Sequence, residues 1–193
     1  MSVLHPAMLS EPVSSIDHIR GSEEAAVTLV AYTDFECPLS GHLNRVLCEA
    51  QRRLGDDLRI VVRHFPQVMI HRHSLWAAEV AEAAARQDRF WEMHDYLFRA
   101  QMALDIRTVL NEAKRMGIDD IKLIHDFARD IPRQRVGRDM QSARESAVRE
   151  APALFVNGHR YQGAFSKIDS FIGDLQATRE IDLTLAKVSL AAV

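Results

Sequence analysis

The chain has 193 residues, 47% of them hydrophobic and 26% charged, with a formal net charge of −3. That is the composition of an ordinary globular domain long enough to bury its own core. It leaves no basic footprint for nucleic acid or an anionic membrane surface. No apolar run nears the roughly 20 residues that span a bilayer, so neither nucleic acid nor membrane is expected as a partner. Two cysteines, Cys37 and Cys48, are too few for a disulfide scaffold.

Residues 1–15 hold His5, Pro6, Glu11 and Pro12. They lack a basic stretch followed by an apolar one, so they read as a loosely packed arm, and a cytoplasmic location is expected. Residues 16–20 suit a short edge strand closed by Gly21-Ser22. Val27 to Thr33 is β-branched and mostly apolar, as in a strand covered on both faces. Pro38 is a good first-turn residue and opens a helix that runs to Arg53 or Leu54 and stops at Gly55. Leu39, Leu43, Val46, Leu47 and Ala50 form its apolar stripe. Leu58 to Phe65 is a second strand ended by Pro66. A strand–helix–strand unit of this kind implies a parallel pair with a right-handed crossover.

Some eighty residues of helix-forming sequence follow. Helices are predicted over 74–86, 88–102, 107–116, 119–129 and 132–150, the second carrying Phe90, Trp91, Tyr96 and Phe98, which read as helical core. Ala151-Pro152 breaks the pattern, because the residue before a proline is pushed out of the α region. Residues 153–156 are a short strand, Asn157-Gly158 a hairpin turn, residues 159–162 the return strand, and 167–177 a last helix. Residues 180–193 form a tail in which Ile181, Leu183 and Leu185 alternate, suiting an added strand or a homodimer contact.

Cys37 lies at the seam between the Val27–Thr33 strand and the helix that follows. The first turn of a helix has backbone N–H groups without intrahelical partners and the positive end of the dipole, which favour the thiolate, the nucleophilic form of cysteine. Three residues on stands Ser40, where a dithiol site would have its second cysteine. Cys48 does not substitute for it: eleven residues along one helix are about 16 Å of rise, and a disulfide needs Cα atoms within roughly 7 Å. Cys48 therefore reads as a small buried hydrophobe. His64, His71, His73 and His94 fall in ordered regions. The run His71-Arg72-His73 is thin support for metal, and no metal site is expected. The arginines between residues 133 and 144 read as a solvated helix face.

The order of elements resembles an α/β thioredoxin fold with a helical insertion, as in DsbA-like thiol oxidoreductases. The resemblance rests on Thr33-Asp34-Phe35-Glu36-Cys37-Pro38, Val62-Arg63-His64-Phe65-Pro66, the Ala77–Ala85 run with Phe90-Trp91-Glu92-Met93-His94-Asp95-Tyr96-Leu97-Phe98, and Ala151-Pro152-Ala153-Leu154-Phe155-Val156-Asn157-Gly158. It implies a domain over 16–179. Its central mixed sheet would have four to five strands, and a helical insertion at about 70–150 would separate the second core strand from a cis-proline loop.

By that resemblance Cys37 is the catalytic nucleophile of thiol–disulfide exchange, acting on a protein or small-molecule thiol or disulfide, and Pro38, Leu39, Ala151 and Pro152 contact the substrate. A cis Pro152 would present the backbone of Ala151 beside Cys37 for an extended substrate chain to pair with. Ser40, the second catalytic candidate, would donate a hydrogen bond to the thiolate across the first turn, or is simply a small polar residue there. The adjacent Glu36 carboxylate opposes ionisation of the thiol, and Leu39 adds no charge. Two departures from the family matter: Ser40 replaces the resolving cysteine, and Ala151 stands where Thr or Val is usual. Without a second cysteine, a mixed disulfide must be resolved by an external thiol, with glutathione a possible co-substrate, or by a thiol of the substrate. No bound cofactor is expected. Two other functions fit the same residues: a glutathione transferase or isomerase in which Ser40 or Cys37 activates the glutathione sulfur, and a non-catalytic binding or chaperone module.

Overall fold

A computed structural model describes the backbone of residues 4–178 and the side chains of residues 7–178. One six-stranded sheet is built from β1 (Leu4–Met8), β2 (His18–Arg20), β3 (Val27–Thr33), β4 (Leu58–His64), β5 (Ala153–Val156) and β6 (His159–Tyr161), in the order β1-β6-β5-β3-β4-β2. Only β3 and β4 are parallel, from Val27 opposite Leu58 to Thr33 opposite His64. The other neighbours are antiparallel, so the sheet is mixed. The central pair carries the most apolar strand sequences and is buried along nearly its whole length.

Helix α1 (Pro38–Leu54) connects β3 to β4 and buries Leu43, Val46, Leu47 and Ala50. It ends at Gly55, whose φ of 54° suits glycine. The insertion comprises α2 (Ser74–Ala85), α3 (Phe90–Arg99), α4 (Ile106–Arg115), α5 (Asp120–Ala128) and α6 (Ile131–Glu145). After the hairpin, residues 168–178 form helix α7. The alanines of α2 let it sit at the centre of the insertion, buried from Ala77 to Ala84. One core unites α1, the insertion and one sheet face through Leu29, Ala31, Ile60, Val62, Met93, Leu97 and Phe171. On the other face Val30, Tyr32, Val61 and Phe155 pack with Ala143 and Val148.

Three expectations are corrected. Residues 4–8 are not a loose arm: β1 pairs with β6 and widens the sheet from the expected four or five strands to six. Helix α6 ends at Glu145 rather than Glu150. Ala147 adopts φ 57°, and the N–H groups of Ala147 and Val148 turn back to the carbonyls of Arg144 and Ala143. That is a Schellman stop without the glycine that would have announced it. Cys48 is exposed rather than buried. Within the arginine-rich face, Arg135 turns inward to Asp139. The 180–193 tail lies outside the described residues.

Candidate active site

Beyond Thr33 the chain turns through Asp34-Phe35-Glu36 and enters α1. Cys37 is the N-cap residue, in extended conformation (φ −74°, ψ 118°), and Pro38 follows in the first turn. The Cys37 N–H donates to the Asp34 carbonyl at 3.1 Å, and its own carbonyl accepts from Gly41 N–H at 3.1 Å. No acidic residue occupies the first turn of α1. Cys37 is 6% exposed, and its thiol donates to the carbonyl of Ala151 at 3.2 Å. The Ala151–Pro152 peptide is cis. The structure thus brings Cys37, Pro38, Ala151 and Pro152 together from segments 114 residues apart. Leu39, 60% exposed, stands at the rim.

Ser40 lies behind this surface, wholly buried, and its hydroxyl accepts the N–H of Asp34 at 3.2 Å. That bond goes to the turn that carries Cys37, not to the thiol. The Ala151 backbone, expected to stand ready for a substrate strand, is already engaged on both sides. Its carbonyl faces the Cys37 thiol, and its N–H donates to Gln67 Oε1 at 3.3 Å.

Sequence reading missed the group that organises the turn. Asp34 is 1% exposed. Its Oδ1 accepts from Glu36 N–H at 2.8 Å, and its Oδ2 accepts from Gln67 N–H and His71 Nδ1–H, both at 2.8 Å. One carboxylate therefore ties the turn before Cys37 to the loop after β4. Glu36, expected to act on the thiol, accepts instead from the backbone N–H of His73 and lies 3.1 Å from its ring Nδ1. His71 and His73 are thus both engaged by carboxylates. From the insertion, Gln101 Nε2 donates to the carbonyls of Phe35 at 2.8 Å and Cys37 at 2.7 Å. A Cβ on Gly41 would stand 2.2 Å from Gln101 Oε1, so a side chain there would displace the Gln101 amide. The only advance signal was Asp34 itself, an acidic residue directly after an apolar strand.

The loop from Pro66 to His73 that Asp34 holds carries exposed Val68, Met69 and Ile70. A groove of about 590 Å³ lies elsewhere, between α4 and α5, lined by Ile106, Leu110, Ile118, Leu123 and Ile124. No residue of the Cys37 site lines it. Among the described residues, no helix is long and apolar enough to cross a membrane.

A family model described as Thioredoxin matches residues 14–174. Segments of two curated proteins are 40% identical: a Na(+)/H(+) antiporter NhaA of Herminiimonas arsenicoxydans over 161 residues, and a Na(+)/H(+) antiporter NhaA 3 of Salinispora tropica over 153. These matches cover 83% and 78% of this chain but only 25% and 23% of the relatives, so the chain spans about a quarter of their length. Among solved structures, oxidised BdbD from Bacillus subtilis superposes with a TM-score of 0.76 at 19% identity, covering 91% of this chain and 100% of that one. Alpha-DsbA1 from Wolbachia pipientis gives 0.75 at 14% identity, covering 91% and 98%. The catalytic domain of Proteus mirabilis ScsC gives 0.73 at 18%, covering 86% and 91%. At these identities the structures establish a shared fold, that of DsbA-like thiol-disulfide oxidoreductases.

Proposed function

Because this chain belongs to the thioredoxin family, we propose that it carries out thiol–disulfide exchange through Cys37 as a single nucleophile. The Cys37 thiolate attacks one sulfur of a disulfide, a Cys37–substrate disulfide forms, and the departing sulfur leaves as a thiolate. Ser40 has no sulfur with which to close an internal disulfide, and Cys48 lies some three turns further along α1. The mixed disulfide is then resolved by an external thiol such as glutathione, or by a second thiol of the substrate. The first route gives a reductase, the second an isomerase. A pool of small thiols serves this chemistry.

The observation that carries the reading is the 3.2 Å contact between Cys37 Sγ and the Ala151 carbonyl at the start of α1. It sets the sulfur against the backbone edge where an extended substrate would lie. Leu39, Val68, Met69 and Ile70 offer an apolar border suited to peptide. The carbonyl now facing the thiol must exchange that partner when the sulfur ionises, and a bound substrate's backbone N–H is a natural replacement.

The test is acid-quench mass spectrometry after exposure to glutathione disulfide or a disulfide-bonded peptide. A single adduct on Cys37, cleared by added glutathione and absent in Cys37→Ser, is expected. Adducts on Cys48 alone, or turnover that survives Cys37→Ser, overturn the proposal.

A further inference from the structure

The sheet edge holds a second cluster that the Cys37 chemistry does not use. His18 on β2, His64 at the end of β4 and Glu82 on α2 converge from three segments. His18 Nε2 lies 2.7 Å and His64 Nε2 2.9 Å from the same oxygen, Glu82 Oε1. The three ligand-type atoms all fall within 4.8 Å of one another. We propose that His18, His64 and Glu82 form a binding site for a divalent transition-metal ion of the zinc type, independent of Cys37.

The donor set supports this. Two imidazoles and one carboxylate are a recurrent zinc ligand set, with the fourth position left to an exogenous group. Tetrahedral ligands about 2.0–2.1 Å from zinc stand roughly 3.3 Å apart, so the cluster need open only slightly to admit an ion. On binding, each imidazole directs its Nε2 lone pair to the metal and keeps its proton on Nδ1, and Glu82 Oε1 exchanges two hydrogen bonds for a coordinate bond.

The surroundings hold the rings in place. His18 is stacked on Phe90, ring centroids 3.4 Å apart at 8°, and the His64 ring packs edge-on to Phe90 and tilted against Phe35. Such an apolar wall fixes ligand orientation and limits competition from water.

Access comes from one side. His18 and Glu82 line a surface cavity shared with Ile16, Arg86, Arg135 and Arg138. Arg86 pairs with Asp126, and Arg135 with Asp139, which offsets part of their repulsion for a cation. The remaining positive field favours an anionic fourth ligand such as hydroxide or carbonate.

The test uses the full chain, reduced and stripped with a chelator, then titrated with Zn²⁺ against a chromophoric competitor and separately with Co²⁺. The expected result is one equivalent bound at micromolar or tighter affinity, with visible Co²⁺ bands and no thiolate charge-transfer band. Zn²⁺, but not Mg²⁺, should raise the melting temperature. Glu82→Gln and, as a second variant in case that one does not fold, His18→Gln should each weaken binding by at least ~100-fold. Cys37→Ser and His71→Asn should bind as the parent does. No binding by the parent chain, or binding that survives both ligand substitutions or is lost in Cys37→Ser, overturns the proposal without touching the exchange chemistry. Conversely, failure of Cys37 to form adducts leaves this site unaffected.

Discussion

Asp34, just past β3, and Glu82, in the last turn of α2, are both buried carboxylates met by histidine nitrogen, at 2.8 Å from His71 and at 2.7 and 2.9 Å from His18 and His64. Their remaining partners differ. Asp34 accepts two backbone N–H groups besides its histidine, from Glu36 and Gln67, so it works as a bracket between the turn before Cys37 and the loop after β4. At Glu82 two imidazoles meet on one oxygen and, among the described residues, no backbone N–H joins them, so the contacts fix side chains rather than chain path. A carboxylate satisfied by backbone amides shapes a loop. One satisfied by imidazoles alone resembles a ligand set.

The largest expected effect tests the Glu82 half of this contrast. In the metal-free chain Glu82→Gln leaves the buried His64 and the partly buried His18 without their charged acceptor, and a loss of about 3 kcal/mol in denaturant unfolding is expected. The pH dependence follows from the lowered carboxyl. Its contribution is complete above the ordinary value of 4.5 and disappears as pH falls through the lower folded value. The parent chain should therefore lose stability on acidification below that point more steeply than Glu82→Gln. Equal acid slopes would remove the charge from the explanation.

Asp34→Asn tests the other half. Replacing the acceptor of three hydrogen bonds should cost about 2 kcal/mol and also slow exchange at Cys37, because the Pro66–His73 loop loses its tie. A variant less stable but unchanged in exchange rate per folded molecule would show that the bracket supports the fold alone.

His94 gives a smaller effect at a third buried site. Burial outweighs the pull of Asp95 and lowers its pKa. Its Nδ1–H donates to Asp95 Oδ1 at 2.9 Å, while Nε2 is buried without a hydrogen-bond partner among the described residues. Stability from the neutral ring is complete above the unfolded value of 6.5 and falls as pH drops through the folded pKa. Below pH 6.5 the parent should weaken relative to His94→Gln in chemical denaturation. A constant difference between the two from pH 7.5 to pH 5.5, a range of about ±1 unit around that value, would rule out this titration.

The smallest effect is expected at Gln67, whose side chain accepts the Ala151 N–H at 3.3 Å. Gln67→Ala frees that donor for a substrate strand at a stability cost of about 1 kcal/mol or less. Peptide disulfides should then react a few-fold faster than in the parent, while small disulfides, which need no strand pairing, should change little. Equal acceleration of both would point to loop mobility instead.

The elements were legible where local pattern carries them. The apolar run of β3, Pro38 at the start of α1, Gly55 at its end and Asn157-Gly158 at the hairpin all stand where the sequence reading placed them. Cys37 at a helix start was equally plain. Errors arose where no local signal exists. Ala147 ends α6 with a φ usually left to glycine. β1 has a proline and little alternation, and its identity as a strand comes from pairing with β6. Cys48 sits beside the apolar stripe of α1, and which side of that boundary it occupies depends on how the insertion packs.

Sequence alone determined the succession of strands and helices, the sulfur at the start of α1 and the serine that denies it a neighbouring thiol, because hydrophobic period, proline and glycine act within a few residues. Tertiary structure decided which polar groups meet. Cys37 with Ala151, Asp34 with Gln67 and His71, and Glu82 with His18 and His64 are joined across 18 to 114 residues of chain. Such pairings leave no period in the sequence, since a buried polar atom is satisfied by whatever partner the packed sheet and helices bring within hydrogen-bond reach.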